Sequence, residues 1–160
     1  MNVEFINPFL TATIGVLKTM AFTEVQPGKP FLKKDKISCG DVSGIVGITG
    51  PPNGSMSLTF SGGSIIAIVS NMLGETFVEV NDDIKDAVGE LSNMISGTAR
   101  NDLGNKGYSF KTSIPTVVSG PGHEIRHMCK APTIAIPFNT QAGSFVVEVS
   151  FENGSNGGKS

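Results

Sequence analysis

The sequence predicts an α+β domain: two similar halves contribute strands to one antiparallel or mixed sheet, and long helices pack on one of its faces. Three observations predict it. Segments with helical and strand-like patterning follow in the order helix, hairpin, helix, then helix, strand, hairpin. The first hairpin, Ile45-Val46-Gly47-Ile48 to Ser57-Leu58-Thr59-Phe60, is echoed by the second, Ile134-Ala135-Ile136 to Phe145-Val146-Val147-Glu148-Val149. The helices, finally, carry apolar residues on one stripe only, which a sheet face can bury. A chain of 160 residues is long enough for one core and short for two. Residues 1–151 therefore read as one domain, and residues 152–160, rich in Gly, Ser and Asn, as a polar, flexible tail.

The first helix is expected over Phe5 to Met20, where Ile6, Phe9, Leu10, Leu17 and Met20 share a face behind Asn7 and Pro8 as start signals. Gly28 to Lys36 reads as a Pro-, Gly- and Lys-rich connection. Val42 to Thr49 and Ser57 to Phe60 then flank Gly50-Pro51-Pro52-Asn53-Gly54, a turn cluster ending in Asn-Gly, and so form a hairpin. Ser61-Gly62-Gly63-Ser64 caps a short apolar helix, Ile65 to Leu73, closed by Gly74. The longest periodic segment, Asp82 to Leu103, has its stripe at Ile84, Val88, Leu91, Ile95 and Ala99, widened by Ala87 and Met94. Ser109 to Val118 is strand-like. Thr133 to Phe138 and Ser144 to Phe151 flank Asn139-Thr140-Gln141-Ala142-Gly143 as the second hairpin. Strand Ser144–Phe151, as the terminal strand, would present an open edge, and a homodimer is the expected cover for it.

Composition excludes several classes. Lys and Arg number 12 against 14 Asp and Glu, and apart from Lys33, Lys34 and Lys36 the basic residues are scattered, so nucleic acid is not an expected partner. The longest apolar run, Ile65 to Val69, is far below the ~20 residues that span a bilayer. Met-Asn-Val-Glu-Phe does not open a secretory leader, so the expected location is the cytoplasm. Cys39 and Cys129 read as free buried thiols rather than a disulfide framework.

The candidate chemistry lies on the main helix. Opposite its apolar stripe stand Asp86, Glu90, Asn93 and Gly97, with Gly89 beside them. Glu and Asn at i, i+3 on an arbitrary helix are most simply a solvated face. Two glycines within one helix, however, each cost roughly 1 kcal/mol relative to alanine, a cost that makes sense where another chain must approach closely.

Asp86-Ala-Val-Gly-Glu90-Leu-Ser-Asn93-Met-Ile-Ser-Gly97 resembles the Asp-x-x-x-Glu-x-x-Asn signature of the CheC/CheX/FliY phosphatases. Ile114-Pro115-Thr116-Val117-Val118-Ser119-Gly120 resembles the proline-containing segment that follows it, and Phe5-Ile-Asn-Pro-Phe-Leu-Thr-Ala-Thr resembles the CheX opening helix. CheC-type members carry the signature twice. Setting Asn7 on Asp86 places Thr11 and Ile14 where Glu90 and Asn93 stand, which favours the CheX type; Glu4-x-x-Asn7 lies before the expected helix and reads as coincidence.

The resemblance implies a chemotaxis phosphatase that hydrolyses the aspartyl phosphate of the response regulator CheY. Asn93 would hold a water in line with phosphorus, and Glu90 would pair with the regulator's active-site lysine, a general base being its alternative role. Asp86, Gly89 and Gly97 would line the docking face. The chain would bind no cofactor or metal of its own, Mg²⁺ belonging to the regulator. The rival function is a CheX-like adaptor that binds a regulator or a flagellar-switch component without turnover.

Other clusters carry less. His123 and His127 with Glu124 and Cys129 have metal-ligand residue types, but Pro121 and Gly122 before them suggest a loop running into a strand. The Ser61 to Ser64 run could cradle an anion, yet no Lys-Ser/Thr follows it, and it reads as a helix cap.

Overall fold

A computed structural model describes residues 3–33, 37–126 and 132–152. Helix α1 spans Val3–Ala21, followed by two short strands, β1 (Gln26–Pro27) and β2 (Phe31–Lys33), and the long hairpin of β3 (Ile37–Thr49) and β4 (Gly54–Phe60). Helix α2 (Gly62–Leu73) and helix α3 (Asp82–Asn105) come next, then β5 (Lys111–Thr112), β6 (Thr116–Arg126) and the second hairpin, β7 (Thr133–Thr140) with β8 (Gly143–Phe151). All eight strands join one sheet in the order β1-β7-β8-β4-β3-β5, with β2 also on β7 and β6 also on β3. Every pairing among the described residues is antiparallel.

The two halves are related by a pseudo-two-fold between β4 and β8. Gln26 and Pro27 pair with Asn139 and Phe138 of β7; Lys111 and Thr112 pair in the same manner with Thr49 and Ile48 of β3. Beyond each short strand the register slips alike, with Phe31 opposite Ala135 and Thr116 opposite Ile45. Even the intervening bond repeats: Gly28 N donates to Pro137 O at 2.7 Å, and Ser113 N to Gly47 O at 2.9 Å. Each half therefore lends its first two strands to the hairpin of the other.

This topology corrects four readings. Strand β8 lies inside the sheet, between β7 and β4; the open edges are β1/β2 and β5/β6, so the open terminal strand on which the expected homodimer rests does not exist. The Gly28 to Lys36 connection contains β2, whose Lys33 Nζ lies 3.3 Å from Glu148 Oε2 on the central strand. Helix α1 begins at Val3, so Pro8 is interior. Proline there removes one bond to the carbonyl of Glu4, but the preceding turn is fixed by packing: Ile6 is buried, and the Phe5 ring lies 4.9 Å from Tyr108 and 4.8 Å from Phe151. Finally, Pro121 to His123 belong to β6, which runs antiparallel to β3 through a bulge between Gly40 and Val42. Gly120 and Gly122 take φ of 145° and 68°, angles that admit the irregularity.

Cys39 lies in this outer part of β3, opposite Glu124, and is exposed rather than buried. His127, Cys129 and residues 153–160 lie outside the described residues. Glu152 is held, its N–H donating to Asn53 O at 2.8 Å.

The core forms between the helices and one sheet face. Ile84, Val88, Leu91, Ile95 and Ala99 of α3 are fully buried, with Val42, Val46, Met56, Leu58 and Val147 of the strands. Close packing of α3 on β3 needs a glycine at position 44, where a Cβ would collide with Ser92 Oγ and lie 3.2 Å from Val88 Cγ1. The apolar capped helix is as expected: Ser61 accepts from Ser64 N, and Gly74 ends α2 at φ 69°. No helix among the described residues is long and apolar enough to cross a membrane.

Candidate functional site

Helix α3 is fixed at its start by a cap and along one face by the core. Asn81 caps it, accepting from Ile84 N at 3.0 Å through Oδ1, and Asp82 and Asp83 occupy the positive end of the dipole. Its buried face is wider than the apolar stripe, because Ser92 and Ser96 are buried too. Ser92 Oγ donates to Val88 O at 2.8 Å and Ser96 Oγ to Asn93 O at 3.2 Å, so each small hydroxyl is satisfied by its own helix. Sequence patterning missed both, since serine counts as polar.

With that face fixed, Asp86, Glu90 and Asn93 are all exposed on the opposite side. Residues three apart on a helix hold their Cβ atoms about 5–6 Å from each other, so Glu90 and Asn93 present a carboxylate and a carboxamide side by side. Gly89 and Gly97 are partly exposed on the same surface. A Cβ at Gly97 would meet nothing within 4 Å, and one at Gly89 would touch only Val117 Cγ2, at the ordinary distance of 3.5 Å. The chain's own packing requires neither glycine.

The second Glu-x-x-Asn pair is inside α1, not before it. Glu4 and Asn7 are both exposed, and counted back from the matching strands β1 and β5 they fall within one residue of Glu90 and Asn93, Glu4 standing 22 residues before Gln26 and Glu90 21 before Lys111. Setting Asn7 on Asp86 is therefore out of register. The surroundings differ: the Tyr108 hydroxyl donates to Glu4 Oε1 at 2.9 Å, which holds the phenol above its ordinary pKa. Glu4 thus has a structural bond on the chain itself.

Of the histidine cluster, His123 sits in a hydrogen-bond network. His123 Nε2 lies 2.8 Å from Ser43 Oγ, Nδ1 lies 3.1 Å from Gly120 O, and Ser43 continues to Thr59 Oγ1 at 3.0 Å. Asp41 accepts from Gly62 N at 2.7 Å and Gly122 N at 3.1 Å, and these bonds lower its carboxyl pKa, with His123 contributing a smaller favourable charge. Gly62 opens α2, so the glycine run reads as a cap tied down by a carboxylate. Among the described residues no group of three His, Cys, Asp or Glu side chains is placed to hold a metal.

Residues 42–139 match the family model described as chemotaxis phosphatase CheX. The chain is 28% identical to the CheY-P phosphatase CheX of Thermotoga maritima over 127 residues, covering 79% of this chain and 82% of that protein. Among solved structures, a chemotaxis protein CheX from Desulfovibrio desulfuricans is 50% identical with a TM-score of 0.88, covering 93% and 99% of the two chains. The CheX–CheY–BeF3–Mg complex from Borrelia burgdorferi shares the fold at 23% identity and a TM-score of 0.78, covering 95% of this chain and 100% of that one. With more than half its length matched by the family model and its α+β architecture shared by these structures, the chain belongs to the chemotaxis phosphatase CheX family.

Proposed function

We propose that the protein is a CheY-P phosphatase in which Glu90 and Asn93 act on a response regulator docked against α3. The observation that carries this reading is the pair itself: two exposed side chains one turn apart on a helix whose other face is immobilised, flanked by glycines that the fold does not need. The Thermotoga relative is named for this activity, and the Borrelia complex joins a protein of the same fold to CheY.

An aspartyl phosphate is an acyl phosphate with a good leaving group, and the regulator supplies Mg²⁺ and a lysine to neutralise the phosphoryl oxygens. What remains is to place the nucleophile. The Asn93 carboxamide accepts from and donates to one water, orienting its lone pair toward phosphorus without acting as a base. As the water oxygen bonds to phosphorus, the bond from phosphorus to the aspartyl oxygen breaks; the carboxylate is regenerated and the water's proton leaves with inorganic phosphate or solvent. Glu90 pairs with the regulator's lysine and fixes the register of α3 over the site. The flanking glycines let the partner's backbone approach.

Sub-stoichiometric protein added to phosphorylated CheY tests this. Catalysis predicts several phosphates released per molecule of protein; an adaptor would release none beyond the regulator's own rate, and that result would overturn the proposal.

A further inference from the structure

The connection between β5 and β6 is pinned at both ends. Thr112 pairs with Ile48 and Thr116 with Ile45. Between them Ser113 N donates to Gly47 O at 2.9 Å, while Ser113 Oγ accepts from Gly47 N at 2.8 Å and donates to Ile114 O at 3.2 Å. The backbone is thus held, yet the Ile114 side chain is 88% exposed, the most exposed large hydrophobic among the described residues.

The pseudo-two-fold supplies an internal control. In the equivalent connection, between β1 and β2, Gly28 stands for Ser113 and makes the matching bond to Pro137 O, Pro30 stands for Pro115, and the residue in place of Ile114 is the exposed Lys29. The mate position thus carries a solvated cation where this one carries an exposed apolar side chain. Isoleucine occurs in the connection that borders α3's functional surface: three residues on, Val117 Cγ2 is the atom 3.5 Å from a Cβ at Gly89, next to Glu90. A rigidly presented, β-branched apolar residue in water, in the segment that touches the helix of the polar pair, has the form of an interface anchor.

We propose that Ile114 is such an anchor, packing against the receiver domain of the response regulator beside its phosphorylated aspartate while Glu90 and Asn93 reach the phosphoryl group. This rests on the function proposed above. The occupant is a receiver domain rather than a second copy because Ile114 lies three residues from Val117, whose Cγ2 is the atom nearest a Cβ at Gly89, on the face of α3 proposed to dock the regulator. Its role is affinity, not chemistry, so its loss is expected in binding alone.

The test substitutes Ile114→Lys, the side chain that the fold already carries at the mate position, with Lys29→Ala as the control. The cognate CheY loaded with Mg²⁺ and beryllium fluoride is titrated against each variant. Ile114→Lys is expected to raise Kd at least tenfold, with KM for phosphorylated CheY rising in step, kcat within twofold and circular dichroism unchanged; Lys29→Ala should bind as wild type. An unchanged Kd, a fall in kcat at constant KM, or conversion of a dimer to a monomer in sedimentation would each overturn the anchor. Asn93→Ala run in parallel separates the two claims. If Asn93→Ala abolishes turnover and Ile114→Lys binds normally, only the anchor fails; if Asn93→Ala keeps turnover, the assigned chemistry fails while the titration still decides the anchor.

Discussion

Gly97→Leu probes whether the glycines on α3 serve the fold or a partner. Nothing lies within 4 Å of a Cβ at this position, so the branch point of a side chain is free of neighbours and the helix exchanges a poor former for a good one. Glycine costs about 0.8–1.0 kcal/mol relative to alanine in a helix interior, and leucine is close to alanine. The variant should therefore be more stable by roughly 0.8 kcal/mol, about 2–3 °C in Tm for a domain of this size. A leucine on the docking surface should at the same time hold the regulator away and raise Kd at least tenfold, about 1.4 kcal/mol. Thermal melts by circular dichroism and titration with beryllofluoride-loaded CheY read the two effects separately. A lowered Tm would show that Gly97 packs within the chain, and an unchanged Kd would remove it from the interface.

Leu91→Ala, a fully buried residue between the helix and the sheet, should cost about 2–5 kcal/mol in urea unfolding; a loss below 1 kcal/mol would contradict the described core. Asp41→Ala should destabilise the protein at neutral pH by freeing the N–H groups of Gly62 and Gly122. Because the folded-state pKa of Asp41 is lowered, its contribution is present above the unfolded carboxyl pKa and lost as pH falls through the lower folded value. The gap between variant and wild type should thus narrow as pH falls into the acid range. If two copies associate, hydrogen exchange should show concentration-dependent protection on β2 or β6, whereas β8 amides, already paired on both sides, stay protected at every dilution.

The elements that the sequence made legible are those long enough to show a period. The α3 stripe from Ile84 to Ala99 and the alternation of both hairpins gave type and place, and the stripe in turn fixed Glu90 and Asn93 on the outer face. What stayed hidden depends on contacts distant in sequence. Strands β1 and β2 are two and three residues long, too short for any pattern, and they exist because the opposite half's β7 offers an edge. Without them the exchange of strands between halves is invisible, β8 looks terminal, and the count that brings Glu4 and Asn7 within one residue of Glu90 and Asn93 has no anchor. Pro8 and Pro121-Gly122 signalled boundaries that tertiary packing overrides: rings around Phe5 extend α1 past one, and positive-φ glycines carry β6 through the other. Ile114 read as one more strand residue until its exposure was known.

The central claim is that the carboxamide of Asn93 places the attacking water, and steady-state phosphate release by Asn93→Ala tests it most directly. The residue is exposed, opposite the buried stripe, so the fold should survive, as circular dichroism would verify. Binding of beryllofluoride-loaded CheY should stay within a few-fold of wild type while kcat falls at least a hundredfold, about 2.7 kcal/mol, comparable with losing one well-placed hydrogen-bonding group in the transition state. A folded Asn93→Ala protein that binds CheY and retains near-normal turnover would contradict the account.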